Sequence, residues 1–355
     1  MKTWMIATIA LGLGSALCAP ASADRPKGAG AANKFARTAD KREGALDSYA
    51  NYDTSDVPSK LDLLQQEVFV NQQRLIQIQF EQENADALKM QFVFFPSGHE
   101  IIPGYVFTPK VMDPGRRYPV VVMVHGGYHE RFNWQWFKLV RTAIDRGYVV
   151  VFPEYRGSRG YGPDYYTNDY GVTDTADVLA AAAYIKAKPY VDPQRVGVLG
   201  VSRGGMVTLL AIEKEPKTFR AAVDIVGLTD FVAYMAYKPE YRRLEVAQAN
   251  PSFKGETPDK NLPAYMAVSP INFVDKIEAP LLVMATTGDK IAPFTLHTGR
   301  LLDVLKAHGK FFESHIYDDA PGGHVFISAD EPEADDAIRR SFDWFDRFMS
   351  TAPQK

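Results

Sequence analysis

Cysteine is nearly absent from this chain: Cys18 is the only one in 355 residues. It falls inside an N-terminal segment that reads as cleavable, so the mature protein is expected to contain none. That excludes a disulfide framework, a thiol nucleophile and thiolate metal sites. A charge surplus is missing too. A formal net charge of −3 gives no basis for nucleic acid or an anionic membrane surface as a partner. No His-Glu-x-x-His or comparable metal-ligand spacing occurs, and no glycine-rich loop has the spacing of a phosphate cradle or a dinucleotide fingerprint. The basic, glycine-rich run Arg156-Gly157-Ser158-Arg159-Gly160-Tyr161-Gly162 follows a strand but lacks both patterns. Neither a metal nor an organic cofactor is expected. There is no internal repeat and no long low-complexity tract.

What is present fits a globular protein with a large core: 46% of residues are hydrophobic and 12% aromatic. Met1-Lys2 is a short basic start. An apolar stretch from Trp4 to Leu17 is too short to span a bilayer comfortably, and Ala21-Ser22-Ala23 supplies a small-residue cleavage site before Asp24. Residues 1–23 therefore read as a secretory signal peptide, and the mature chain as exported to a bacterial periplasm or secreted, with no stable membrane insertion. Ser15-Ala16-Leu17 fits a lipobox poorly, since a small residue is expected just before Cys18. Residues 24–57 are rich in Ala, Lys, Asp and Ser and read as a poorly ordered arm. Helical spacing of Leu61, Leu64 and Val68 predicts a helix over 60–75. Residues 24–90 thus form an arm and helical extension to a domain over 91–350.

That domain opens with strands over 91–95 and 101–108, joined by the turn Pro96-Ser97-Gly98-His99. Strands over 119–124, 148–152, 195–199, 221–226, 280–285 and 311–317 then alternate with helices over 134–146, 173–186, 206–215, 295–308 and 333–349. Thr173 or Asp174 starts the second of those helices. Such alternation implies an α/β fold: a mainly parallel central sheet with helices on both faces and an antiparallel hairpin at one edge. Residues 231–268 break the rhythm and carry Phe231, Tyr234, Tyr237, Tyr241, Phe253 and Tyr265. They read either as a small cap whose tyrosines line a substrate pocket or as a surface excursion packed on the domain.

Gly200-Val201-Ser202-Arg203-Gly204-Gly205 stands between a strand and a helix, which is the sequence form of a nucleophile elbow. A serine hydroxyl is a weak nucleophile and needs a base oriented by a carboxylate. In this fold the acid and then the histidine follow the serine in the chain. His324 lies in a glycine-rich loop after the last strand, whereas His99, His297, His308 and His315 sit in the hairpin, on helices or within a strand. Asp289 and Asp230 each follow a strand and compete for the acid. Asp289 is preferred, and Asp318 and Asp319 are read as turn carboxylates. The backbone N–H groups of Arg203 and of Gly127, in the loop His125-Gly126-Gly127-Tyr128, are the candidate oxyanion donors. The Arg203 side chain either covers the elbow or pairs with a nearby carboxylate. Tyr128, Tyr234 and Tyr237 are the candidate substrate contacts.

From residue 91 to 349 the chain resembles the catalytic domain of the prolyl oligopeptidase family of serine peptidases, within the α/β-hydrolase superfamily. The resemblance rests on His125-Gly126-Gly127, on Tyr155-Arg156-Gly157-Ser158-Arg159-Gly160-Tyr161-Gly162 and on the elbow. It extends to Ser269-Pro270-Ile271, Ala279-Pro280-Leu281-Leu282, Gly288-Asp289-Lys290-Ile291-Ala292-Pro293 and Gly323-His324. It implies an α/β-hydrolase fold with Ser202, Asp289 and His324 as catalytic triad, and favours Asp289 over Asp230. It also marks departures. About 67 residues (24–90) precede the match, too few for the family's β-propeller. Ile291 stands where well-known members carry Arg or Asn to bind a substrate carbonyl, and Ala292 replaces a valine. His125 stands where some members place a tyrosine hydroxyl in the oxyanion hole. The expected activity is hydrolysis of a peptide through an acyl-enzyme, with a carboxylesterase, or a non-catalytic binding protein on the same scaffold, as alternatives.

Overall fold

The computed structural model describes residues 57–161, 165 and 169–350. The segment read as an export signal, the arm up to residue 56 and Gly162 lie outside the described residues. The first helix, α1 (Val57–Glu83), runs beyond the expected 60–75. Phe80 explains the extension: it is fully buried against Phe107, Phe132 and Phe137, with ring centroids 5.7, 5.4 and 4.4 Å away. At its end the Asn84 N–H makes the last i→i−4 bond, to the Phe80 carbonyl, and the Asn84 side-chain amide donates to the same oxygen.

The strands are β1 (Leu88–Ser97), β2 (Glu100–Pro109), β3 (Tyr118–Val124), β4 (Val149–Pro153), β5 (Val191–Val201), β6 (Ala221–Ile225), β7 (Leu281–Thr286) and β8 (Phe312–Tyr317). They form one eight-stranded sheet in the order β1-β2-β4-β3-β5-β6-β7-β8. β2 runs antiparallel to β1 and β4, and the other pairings are parallel. A two-residue turn at Gly98-His99 closes the hairpin, with Gly98 at φ 62°, a conformation that favours glycine.

Helices α2 (Phe137–Asp145), α3 (Thr173–Lys186) and α4 (Arg203–Lys214) connect the inner strands. Three short helices follow β6: α5 (Phe231–Ala236), α6 (Glu240–Ala249) and α7 (Leu262–Ala267); α8 (Thr298–Ala307) and α9 (Pro332–Met349) complete the domain. The inner strands are apolar throughout because both faces are covered, and side chains alternate between them. Val121, Met123, Leu199 and Val223 pack with Leu139, Phe342 and Phe345 of α2 and α9. Val120, Val122, Val124 and Val198 pack with Val178, Val207 and Leu301 of α3, α4 and α8. Each such burial contributes about 1.5–3 kcal/mol.

The aromatic insert is a cap with its own core. Phe231, Met235, Val246, Phe253 and Tyr265 cluster with Tyr170, Met206 and Leu228, and the rings of Phe253 and Tyr265 stack at 4.0 Å and 12°. Tyr241 stays outside it, exposed. Among the described residues, no helix is long and apolar enough to cross a membrane.

A carboxyl group on β6 lies inside this apolar frame. Asp224, on β6, is fully buried behind the elbow, where a Cβ on Gly205 or Gly227 would come within 2.1 or 2.2 Å of its Oδ1. Burial pushes its carboxyl up to about 7, with the Gly227 N–H opposing. Because the folded value is raised, the neutral acid favours the fold at low pH. That contribution is lost between the ordinary carboxylate range and pH 7, at about 1.4 kcal/mol per pH unit. Asp224→Asn, nearly isosteric and uncharged, is therefore expected to match the wild type near pH 4 and exceed it in stability at pH 8. Urea midpoints across that range check this; an unchanged difference at the two ends would contradict it.

Candidate active site

Ser202 follows β5 directly and adopts φ 60°, ψ −119°. Such a backbone costs about 1–3 kcal/mol for a non-glycine residue. It is held by its N–H, which donates to the Ile225 carbonyl (2.8 Å), and by its carbonyl, which accepts from Met206 N–H (3.1 Å). α4 begins at Arg203 rather than at the expected 206, because the elbow glycines serve as helix and crossing positions. A Cβ at Gly200 would lie 2.0 Å from the Gly204 carbonyl oxygen, and one at Gly204 would lie 2.0 Å from that of Val124. The strand-to-helix crossing is thus too close for any side chain.

Three residues from the ends of three strands meet here. His324 Nε2 lies 2.7 Å from Ser202 Oγ, and His324 Nδ1 lies 2.7 Å from Asp289 Oδ2. Asp289 follows β7 and is almost fully buried. Its Oδ1 accepts from the N–H groups of Ile291 and Ala292, both at 2.8 Å, which leaves Oδ2 aimed at the imidazole. The carboxylate accepts only, so Nδ1 carries the hydrogen and Nε2 is left to accept from the serine hydroxyl.

The rival acids are engaged elsewhere. Asp230 caps α5 by accepting from Ala233 N–H (2.9 Å) and pairs with Arg300 (2.5 Å). Asp318 accepts from the Thr287 hydroxyl (2.9 Å), and the Asp319 N–H donates to that hydroxyl (2.9 Å).

The loop carrying Gly127 sits across the elbow: a Cβ on Gly126 would be 3.0 Å from Ser202 Cβ. Gly127 has φ 68°, and the Glu130 side chain fills the space its own would need, 2.0 Å from an ideal Cβ. Arg203 is the first residue of α4, so its N–H has no intrahelical acceptor. The Tyr155-Arg156-Gly157-Ser158 segment buttresses this loop. Tyr155 stacks on His125 at 4.0 Å and donates its hydroxyl to the His125 carbonyl (2.8 Å), while Ser158 Oγ lies 2.8 Å from His125 Nε2. Burial holds the His125 imidazole neutral, its pKa pushed down to about 3. His125 Nδ1 faces the Gly126 carbonyl at 3.0 Å, and the Ser158 hydroxyl beside Nε2 donates to the Tyr155 carbonyl at 2.7 Å. His125 is therefore a fixed strut, not a base.

A cleft of about 300 Å³ opens at Ser202. Its lining includes Tyr128, Tyr170, Tyr234, Arg242, Trp136 and Val325. Of the three tyrosines singled out in the sequence, Tyr128 and Tyr234 line it and Tyr237 does not. Tyr237 ends α5 and turns its hydroxyl away, donating to the Ile291 carbonyl (2.7 Å) beside His297 Nε2 (3.0 Å). Glu130 and Arg242, two charged residues of the lining, were not foreseen from the sequence. Glu130 stands three residues past Gly127, a proximity that marks it, while Arg242 comes from a cap helix with no local signal.

A sheet of this order, with a serine elbow after β5, an acid after β7 and a histidine after β8, defines an α/β hydrolase. The chain belongs to the prolyl oligopeptidase family, whose sequence model matches residues 131–351, more than half of it. It is 27% identical over 236 residues to the uncharacterized peptidase YuxL of Bacillus subtilis (strain 168), covering 65% of this chain and 35% of the relative. It is 29% identical over 201 residues to the acylamino-acid-releasing enzyme of Homo sapiens, covering 54% and 27%. The chain thus spans about a third or less of the length of these relatives. Among solved structures, the acylaminoacyl peptidase of Pyrococcus horikoshii superposes with a TM-score of 0.64 at 20% identity, covering 77% of this chain and 44% of that one. A puromycin-hydrolyzing peptidase of Mycobacterium tuberculosis gives 0.62 at 22%, covering 76% and 40%.

Proposed function

We propose that this chain is a serine peptidase that cleaves short peptides through an acyl-enzyme. The observation that carries the reading is the unbroken hydrogen-bond line from Asp289 through His324 to Ser202, at 2.7 Å on each side of the imidazole. Ser202 Oγ attacks the substrate carbonyl carbon while His324 Nε2 takes its proton. The carbonyl oxygen becomes an oxyanion that accepts from the N–H groups of Gly127 and Arg203. Collapse breaks the C–N bond, and the proton on His324 goes to the departing amine. Water then repeats the sequence: His324 takes a proton from it, the C–O bond to Ser202 breaks, and the serine recovers the proton. Asp289 keeps Nδ1–H in place and stabilises the imidazolium. The chemistry needs no metal and no cofactor. Tyr128 and Tyr234 wall the substrate, and the segment read as an export signal would carry the enzyme to the periplasm or medium.

Peptides as substrates are supported by the family and by the peptidases named among its relatives. One observation favours an ester instead. Ile291 stands at the rim of the cleft, almost half exposed, where an aliphatic side chain donates nothing to a substrate carbonyl. An ester without a further peptide carbonyl has no use for such a donor. Incubation of the purified protein with a fluorophosphonate probe tests the reaction class: a single adduct on the Ser202 peptide is expected, and an unlabelled protein overturns the enzyme reading. Peptide p-nitroanilides and p-nitrophenyl esters, assayed side by side, then separate the two substrates. Turnover of esters alone would assign a carboxylesterase.

A further inference from the structure

The residue after Ser202 carries a side chain with three contacts, to Asp174, to the Tyr128 carbonyl and to the Tyr170 ring. Arg203 is almost fully buried, and so is Asp174 in the first turn of α3. Arg203 Nη2 and Nε donate to Asp174 Oδ2 at 2.8 and 3.2 Å. Arg203 Nη1 donates to the Tyr128 carbonyl at 3.0 Å. The guanidinium lies over the Tyr170 ring at 3.7 Å, and Tyr170 in turn fixes its backbone N–H on Asn250 of the cap at 2.9 Å. Asp174 Oδ1 is occupied by the Thr175 N–H at 2.7 Å.

We infer that the Arg203 side chain sets the span of the oxyanion hole, making it a positioning residue for the reaction proposed above, on which the inference rests. Of the two proposed donors, one is the backbone N–H of Arg203 itself. The other, Gly127, directly precedes the residue whose carbonyl Arg203 holds. One side chain therefore ties the elbow to the far end of the donor loop. The near end is tied separately, through His125 to Ser158 and Tyr155. Two consecutive glycines between those ties have no side chains to anchor them.

Stability alone does not account for the pair. A buried ion pair roughly breaks even against well-packed apolar side chains of similar volume, since desolvation offsets the attraction. The planar fork does what an apolar pair would not: it points donors in two fixed directions, to Asp174 and to Tyr128. A lysine ammonium carries the same charge without that planar fork. Oxyanion donors act on the transition state far more than on bound substrate, so a shift in their spacing falls on kcat rather than KM.

The test compares wild type, Arg203→Lys and the double variant Asp174→Leu/Arg203→Met, which leaves no unpaired buried charge. Readouts are kcat and KM for a p-nitrophenyl ester, the rate of fluorophosphonate inactivation, and the thermal midpoint. Both variants are expected to lose about 10- to 100-fold in kcat with KM changed less than about threefold, and inactivation should slow in proportion. The double variant is expected to melt close to the wild type. A folded variant that keeps kcat overturns the inference, as does a loss expressed wholly in KM. Wild type that takes no fluorophosphonate at all overturns the hydrolase reading itself, a result visible before any variant is compared.

Discussion

Ser202→Ala is expected to lower kcat by about a millionfold, and adding His324→Ala to it should cost almost nothing more. The reason lies in the single line of hydrogen bonds at the site. His324 Nε2 works through Ser202: it receives the proton of Oγ 2.7 Å away and then serves the acyl-enzyme that this oxygen forms. Without the hydroxyl both tasks disappear, so the second substitution removes a base with nothing to deprotonate. The residual rate over water would come from the oxyanion donors and from binding in the cleft. An activated ester assayed with single and double variants measures this. Two independent, multiplying losses would mean that the residues do not act as a unit.

Asp289→Asn is expected to cost about 10⁴-fold in kcat while leaving the fold intact. The Ile291 and Ala292 N–H groups both point at Oδ1, so the amide oxygen will take that place and turn its NH₂ toward His324. An amide donor at that position forces Nδ1 to accept, which moves the ring hydrogen to Nε2. The imidazole then faces Ser202 with a donor and cannot take its proton. Asp289→Ala removes the wrong donor as well as the right acceptor, so it should retain more activity than the asparagine variant. A reversed order would argue that the carboxylate acts by charge alone.

The parts of this site that could be read from the sequence are those tied to strand ends. Ser202 follows β5 directly, and Asp289 and His324 lie in the short loops after β7 and β8; in a parallel sheet such residues share one edge. The parallel frame was equally readable, since strands such as Val120 to Val124 need both faces covered. Boundaries were missed where packing overrules local preference. Glycines discouraged a helix start at Arg203, yet Gly204 is helical because only a bare Cα fits beneath Val124. Phe80 extended α1 through contacts with residues far along the chain. The tyrosines of the insert could be recognised as aromatic, but not sorted. Whether Tyr234 or Tyr237 faces the cleft depends on how α5 sits against Ile291 and His297. Asp174 was legible as a helix start. Its partnership with Arg203 joins two helices through no periodicity that a sequence displays.

Ile291 has a backbone and a side chain with separate duties. Its N–H supports the Asp289 carboxylate and its carbonyl takes the Tyr237 hydroxyl, while the side chain stands at the rim of the cleft. Any residue but proline can supply that N–H and that carbonyl. The position can therefore drift during evolution, or be randomised in a library, without touching the catalytic acid. New substrate preferences are accessible there one substitution at a time, with the reaction chemistry left untouched.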